Sequence, residues 1–255
     1  MTNTIFQLPT LSPWHKKKFL TYAEDVLLNQ QKMTENKDKN ILHYILEKKR
    51  RHIYMNHYPK GDRIDFKTGA QYFYHCHREN EETEEHGHFH CFIRYKFIPK
   101  QYKPMPLSDW DKYIDNPMTH LVAIAMNRYG QPIRLFSVNR WVTSEICYGA
   151  EYIEKFIARF NMTLTDKPYW QILDQWINGM IKLFSPQIIW LQQQRDQHIE
   201  QLKKQYENPF EEKEIEEISS INIDLEQQIQ WVLQATPKPI KSQQSITQEQ
   251  MISFT

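Results

Sequence analysis

The sequence predicts an α+β fold: an antiparallel sheet of two β-hairpins packed by helices from both ends of the chain. Three observations predict it. Apolar residues recur at helical spacing near the start, at Phe19, Tyr22, Ala23, Val26 and Leu27, and again at Tyr169, Ile172, Leu173, Trp176 and Ile177. Between them, over about 68–143, the period drops to two. Turn residues divide that middle stretch into paired segments.

Each element has a local reason. Residues 12–30 read as a helix, with Ser12 to cap it and Pro13 in its first turn. "TENKDKN" is a polar break. Residues 40–55 read as a second helix, with Ile41, Tyr44 and Ile45 on one side and a basic run at Lys48–Arg51. "AQYFYHCH" and "HGHFHCFIRYKF" alternate as two strands. "THLVAIAMN" and "PIRLFSVNRWV" make two more, joined by a turn at Arg128-Tyr129-Gly130-Gln131.

Helices return after Thr143. Ile153, Phe156, Ile157 and Phe160 mark one, and Thr165 or Asp166 with Pro168 opens the next. Pro186 opens a long Gln-rich helix to about Tyr206, weakly amphipathic and expected to project or pack loosely. These elements form one domain over 1–206. Residues 207–255 read as an acidic linker, "ENPFEEKEIEEISS", a short helix near Asp224–Leu233 and a mostly disordered tail.

Composition narrows the function classes. Hydrophobic residues make up 40% of 255, with seven Trp, fourteen Tyr and thirteen Phe, enough for a sizeable core. Six glycines and no phosphate-loop or dinucleotide-loop motif argue against nucleotide folds. A net charge of +1 does not favour nucleic acid as a partner. Cys76, Cys91 and Cys147 form no CxxC pair, which fits a reducing compartment. No apolar run reaches the ~20 residues of a membrane span, and no secretion signal is legible. A cytoplasmic protein is expected.

The chemistry concentrates in one place. His75, His77, His86, His88 and His90 crowd into sixteen residues, where chance would put about 0.7. Side chains at i and i+2 share a strand face. Without a bulge, the even loop 78–85 places His77 opposite His86, His75 opposite His88 and Phe73 opposite His90. Opposed Cβ atoms lie about 4.5–5.5 Å apart, which lets imidazoles reach a common ion at about 2.0–2.1 Å. The other face carries Tyr72, Tyr74, Cys76, Phe89, Cys91 and Ile93, a core face. The cysteines thus point away, and nitrogen or oxygen ligands are expected.

His120 at the start of the third strand can add a nitrogen. Glu84, with the parity of His86, and Glu85 are candidates for a carboxylate ligand, an outer partner or an acid–base group. Such a site suits a divalent transition metal (Zn, Fe or Mn, with Ni and Cu also compatible). The alternative is a polar sheet face whose histidines are structural or sense pH. The expected function is that of a metal-binding protein, as an enzyme of hydrolytic or redox chemistry, substrate open.

Three resemblances add to this reading. Tyr74-His75-x-His77, then Glu85-His86-Gly87-His88-Phe89-His90, then Asn139-Arg140-Trp141-Val142-Thr143 resemble a bacterial domain family of unknown function over roughly 70–143. The resemblance implies a shared site and brings Asn139 and Trp141 into it. His88-Phe89-His90 followed by Tyr152-x-x-Lys155 is similar to HUH endonucleases. That likeness implies a metal-assisted attack by Tyr152 on a single-stranded DNA phosphate, with Lys155 orienting and a carboxylate near Glu85 completing the coordination. The glutamate-rich 211–217 with its polar tail resembles the ends of type IV secretion effectors, which implies delivery without a cleavable signal; separately, the C-terminal helices, the long Gln-rich one above all, are candidates for a protein partner.

Overall fold

The computed structural model describes residues 5–35, 40–46, 53, 56–76, 84–107 and 118–235. Among them lies a six-stranded antiparallel sheet in chain order: β1 (Tyr58–Ile64), β2 (Ala70–Cys76), β3 (Glu85–Arg94), β4 (Met118–Asn127), β5 (Pro132–Val138) and β6 (Glu217–Asn222). Seven α-helices accompany it: α1 (Pro13–Thr34), α2 (Ile41–Ile45), α3 (Arg140–Thr143), α4 (Ile153–Arg159), α5 (Pro168–Leu183), α6 (Ser185–Leu202) and α7 (Leu225–Ala235). The protein is α+β with an antiparallel sheet, as its sequence predicts. No described helix is long and apolar enough to cross a membrane.

The expected hairpins are the centre of this sheet, and a strand joins at each edge. β1 escapes a sequence reading because Pro-Lys-Gly-Asp interrupts its alternation. Its register jumps between Tyr58 and Arg63, where Gly61 and Asp62 take φ of +84° and +62°. An edge strand tolerates such an interruption because only one side of it must pair. β6 falls inside the acidic stretch expected to be a linker. Asn139 draws that stretch in: its amide donates to the carbonyls of Pro209 (2.8 Å) and Ile215 (3.0 Å). Trp141 Nε1 donates to the Ile215 carbonyl as well, at 3.0 Å.

One face of the sheet is the main core. Tyr72, Tyr74, Cys76, Phe89, Cys91 and Ile93 are all at most 2% exposed and pack with Val26, Phe156, Trp176 and Ile177 of the helices. α1 crosses α5 closely because Gly179 has no side chain: a Cβ there would sit 2.7 Å from Val26 Cγ2. Asp166 does not cap α5, whose N-cap is Lys167. Its carboxylate instead takes both terminal nitrogens of Arg63, at 2.6 and 2.7 Å. The helix expected over 40–55 is described at Ile41–Ile45, where Leu46 closes it, and most of the remainder lies outside the described residues.

The Gln-rich α6 does not project. It lies along β5 and β6, with Ile188 and Leu191 in the main core. Two of its glutamines are buried and bonded: Gln187 Nε2 donates to Gln228 Oε1 at 2.6 Å, and Gln192 Nε2 to the Leu121 carbonyl at 2.7 Å. A buried carbonyl left outside the strand ladder needs such a partner.

Candidate metal centre

The opposite face of the sheet carries the imidazoles. β2 and β3 pair in the expected register, with Phe73 opposite His90 and His75 opposite His88. The Nε2 atoms of His75 and His88 are 2.6 Å apart, and those of His88 and His90 3.0 Å. The three ligand nitrogens lie within 4.8 Å of one another. Nitrogens around a tetrahedral ion at about 2.05 Å stand roughly 3.3 Å apart, so an ion fits with sub-ångström adjustment. All three rings are buried, at 8%, 7% and 1% exposure.

Two bulges decide which other residues join them. At the start of β3 the register slips between Glu85 and Gly87, so His86 is the extra residue. Simple alternation puts His86 beside His88; the bulge turns it to the core face, where its Nδ1 lies 2.8 Å from Tyr74 Oη. Glu85 takes the vacated direction, and its Oε1 accepts from His88 Nδ1 at 2.6 Å. The second slip, between Cys91 and Phe92, makes Leu121 the extra residue of β4. Leu121 and Val122 then both face the core, and His120 comes to the imidazole face. The second bulge is held from two sides. Gln192 takes the Leu121 carbonyl, and buried Glu145 accepts from the His120 amide at 2.7 Å.

The outer nitrogens of two rings are fixed. Glu85 is an acceptor only, so the His88 proton sits on Nδ1 and the Nε2 lone pair faces the cluster. His90 Nδ1 and His120 Nε2 are 3.1 Å apart. His120 also hydrogen-bonds the Val122 backbone, which favours accepting from His90 and leaves the His90 Nε2 lone pair inward. Burial, with His88, His120 and His75 nearby, holds His90 well below the ordinary imidazole range. Burial, then Arg195 and His88, holds His120 at about 3. Neutral rings whose lone pairs converge repel unless a proton or a cation lies between them.

Burial works to raise the Glu85 carboxyl, but the hydrogen bonds of His88 and Arg134 and the Arg134 charge outweigh it and hold Glu85 at about 2. Its second oxygen accepts from Arg134 at 2.8 Å. A carboxylate so engaged orients its histidine; it has no proton to trade near neutral pH. Glu84 is exposed and lies outside this network.

These contacts belong to a larger unit: residues 20–223 match the model of a domain of unknown function, DUF6969. The chain belongs to that family. No curated protein and no solved structure matches it significantly. The DUF6969 match ends one residue past β6, so it spans every strand of the sheet and leaves all of α7 outside.

Within this DUF6969 domain the remaining expected residues lie elsewhere. Asn139 and Trp141 clasp the segment before β6, as above. Tyr152 packs against Tyr102 (5.1 Å between centroids), Tyr148 and Phe156, in the helical layer across the sheet from the imidazoles. His77 lies outside the described residues. Sequence reasoning missed Arg134, Glu145, Phe136 and His57. His57 stacks on Phe73 at 3.6 Å and 7°, and Phe73 is 5.1 Å from His90. Its Nδ1 is 2.7 Å from Asp62 Oδ1. Position in β1, itself unrecognised, hid the Asp62 pairing; no spacing links His57 to the hairpin.

Proposed function

We propose that this chain is a transition-metal protein in which His75, His88 and His90 hold one divalent ion, Zn, Fe or Mn, and that the ion serves hydrolytic or redox catalysis. The convergence of three buried imidazole nitrogens, two of them with their outer nitrogens fixed, carries this reading. Three protein nitrogens leave a divalent ion room for water or substrate, the arrangement of catalytic rather than closed structural sites. Bound there, the ion supplies Lewis acidity and lowers the pKa of a coordinated water.

The protein's own parts divide as follows. Glu85 and His120 set the tautomers of His88 and His90. Phe73, Phe92 and Phe136 surround the rings with apolar surface, which excludes water and strengthens the electrostatics inside. His57, oriented by Asp62 and with a 44% exposed side chain, stands at the rim as the proton-transfer group. Glu84 and Glu85 do not take that role.

The test is metal analysis of purified protein, then titration with Zn(II) or Co(II) against a chromophoric chelator. One ion per chain is expected. His88→Ala/His90→Ala should weaken binding by at least a hundredfold, because two of three ligands are gone. Absence of any bound or bindable transition metal in the folded wild type sinks the reading.

A further inference from the structure

His88, Ala125 and Arg134 stand in one row across β3, β4 and β5. The Ala125 side chain is small and buried, with Ala123 two residues before it on the same strand. Arg134 reaches back across β4 to Glu85 Oε2 at 2.8 Å. Its other terminal nitrogen bonds Glu217, the first residue of β6. The guanidinium lies 4.3 Å from the Phe136 centroid, and Phe136 itself touches His88 edge-on at 4.9 Å. A continuous polar chain thus runs Glu217, Arg134, Glu85, His88, from the edge strand to a ring of the cluster.

We infer that Arg134 is a positioning residue for the metal centre, and that β6 takes part in the site by delivering Glu217 to it. The physical reason is directional. Glu85 has two oxygens, and one must be held if the other is to keep a fixed line to His88 Nδ1. Arg134 holds it with a planar fork that a flexible ammonium matches only in charge. Glu217 then takes the second branch of the fork, so that the guanidinium plane is fixed from both sides. The inference rests on the metal reading for its consequence, though not for its geometry.

Two readouts test it on the full-length protein: Zn(II) affinity by chelator competition, and the histidine tautomers by long-range ¹H–¹⁵N spectra of the metal-free chain. Wild type should show His88 as one tautomer, protonated on Nδ1. Arg134→Met should mix the His88 tautomers and weaken Zn(II) about tenfold, within the range for loss of an outer partner. Glu85→Gln should do as much or more. Arg134→Lys, which keeps the charge and loses the fork, should fall between wild type and Arg134→Met in both readouts. Glu217→Gln, which keeps the shape, should weaken binding a few fold. An Arg134→Met protein with wild-type tautomers and affinity within twofold of wild type overturns the inference. If wild type binds no metal, the metal reading falls, and the tautomer spectra alone decide the positioning role. If Arg134→Met does not fold, Arg134→Lys and Glu217→Gln decide it by the same two readouts, and wild-type tautomers and affinity in both overturn the inference.

Discussion

At the scale of single residues, the imidazole face makes a specific claim about acid. His120 titrates at about 3 in the fold against 6.5 when free, and His90 is shifted in the same direction. Unfolding therefore takes up protons below about pH 6.5, and the stability these rings contribute is lost as pH falls, at ~1.4 kcal/mol per unit for each group. Glu85, at about 2 against 4.5, adds stability above pH 4.5 that is lost as pH falls toward 2. Glu145 acts oppositely. Burial raises it from 4.5 to about 7, so its contribution is lost as pH rises through that window. Two rings against one carboxyl leave a net loss on acidification from pH 6.5 to 4.5. Thermal melts of metal-free protein should show it, and Glu145→Gln should make the loss steeper. A variant with a flatter profile than wild type contradicts the assignment of Glu145.

At the scale of elements, the hairpin and its register were legible because alternation has a fixed period and the loop 78–85 has an even length. The bulges were not. They break the alternation at His86 and Leu121 and are held by residues distant in sequence, Gln192 and Glu145 at the second. No local pattern announces a partner so far away. This is why His86 was expected in the cluster and Glu85 was left as one of several options. Gly87, just after the first bulge, sits against β2: a Cβ there would lie 2.2 Å from the His75 carbonyl oxygen and 2.8 Å from Tyr74 Oη. Gly87→Ala should cost roughly 1–3 kcal/mol as an overpacked site. Urea midpoints measure it, and a neutral substitution shows that the strands are looser there than these contacts imply.

At the scale of the molecule, sheet and helices are tied by a buried charge network. Arg63 of β1 donates to Asp174 of α5 at 2.7 Å, and Tyr72 of β2 donates to the same carboxylate at 2.8 Å. Asp174→Ala leaves Arg63 with only the half-exposed Asp166 and should destabilise by ~3–5 kcal/mol. Denaturant unfolding checks this, and a loss under 1 kcal/mol shows that the network is dispensable. The helices at both ends were legible from their apolar spacing. The edge strands were not, since each lies in a stretch whose local composition favours turn or coil and gains strand structure only from its neighbour.

The proposed ligand trio has a consequence in time as well as in space. His75 and His88 are 13 residues apart and belong to one hairpin, whereas Glu85 meets Arg134 across 49 residues and Arg134 meets Glu217 across 83. Local contacts close fast and distant ones slowly. If the trio holds an ion as proposed, it can therefore capture it during synthesis, while β5 and β6 are still unmade. The ion would then staple the nascent hairpin, and the later strands would lock an affinity that begins weak.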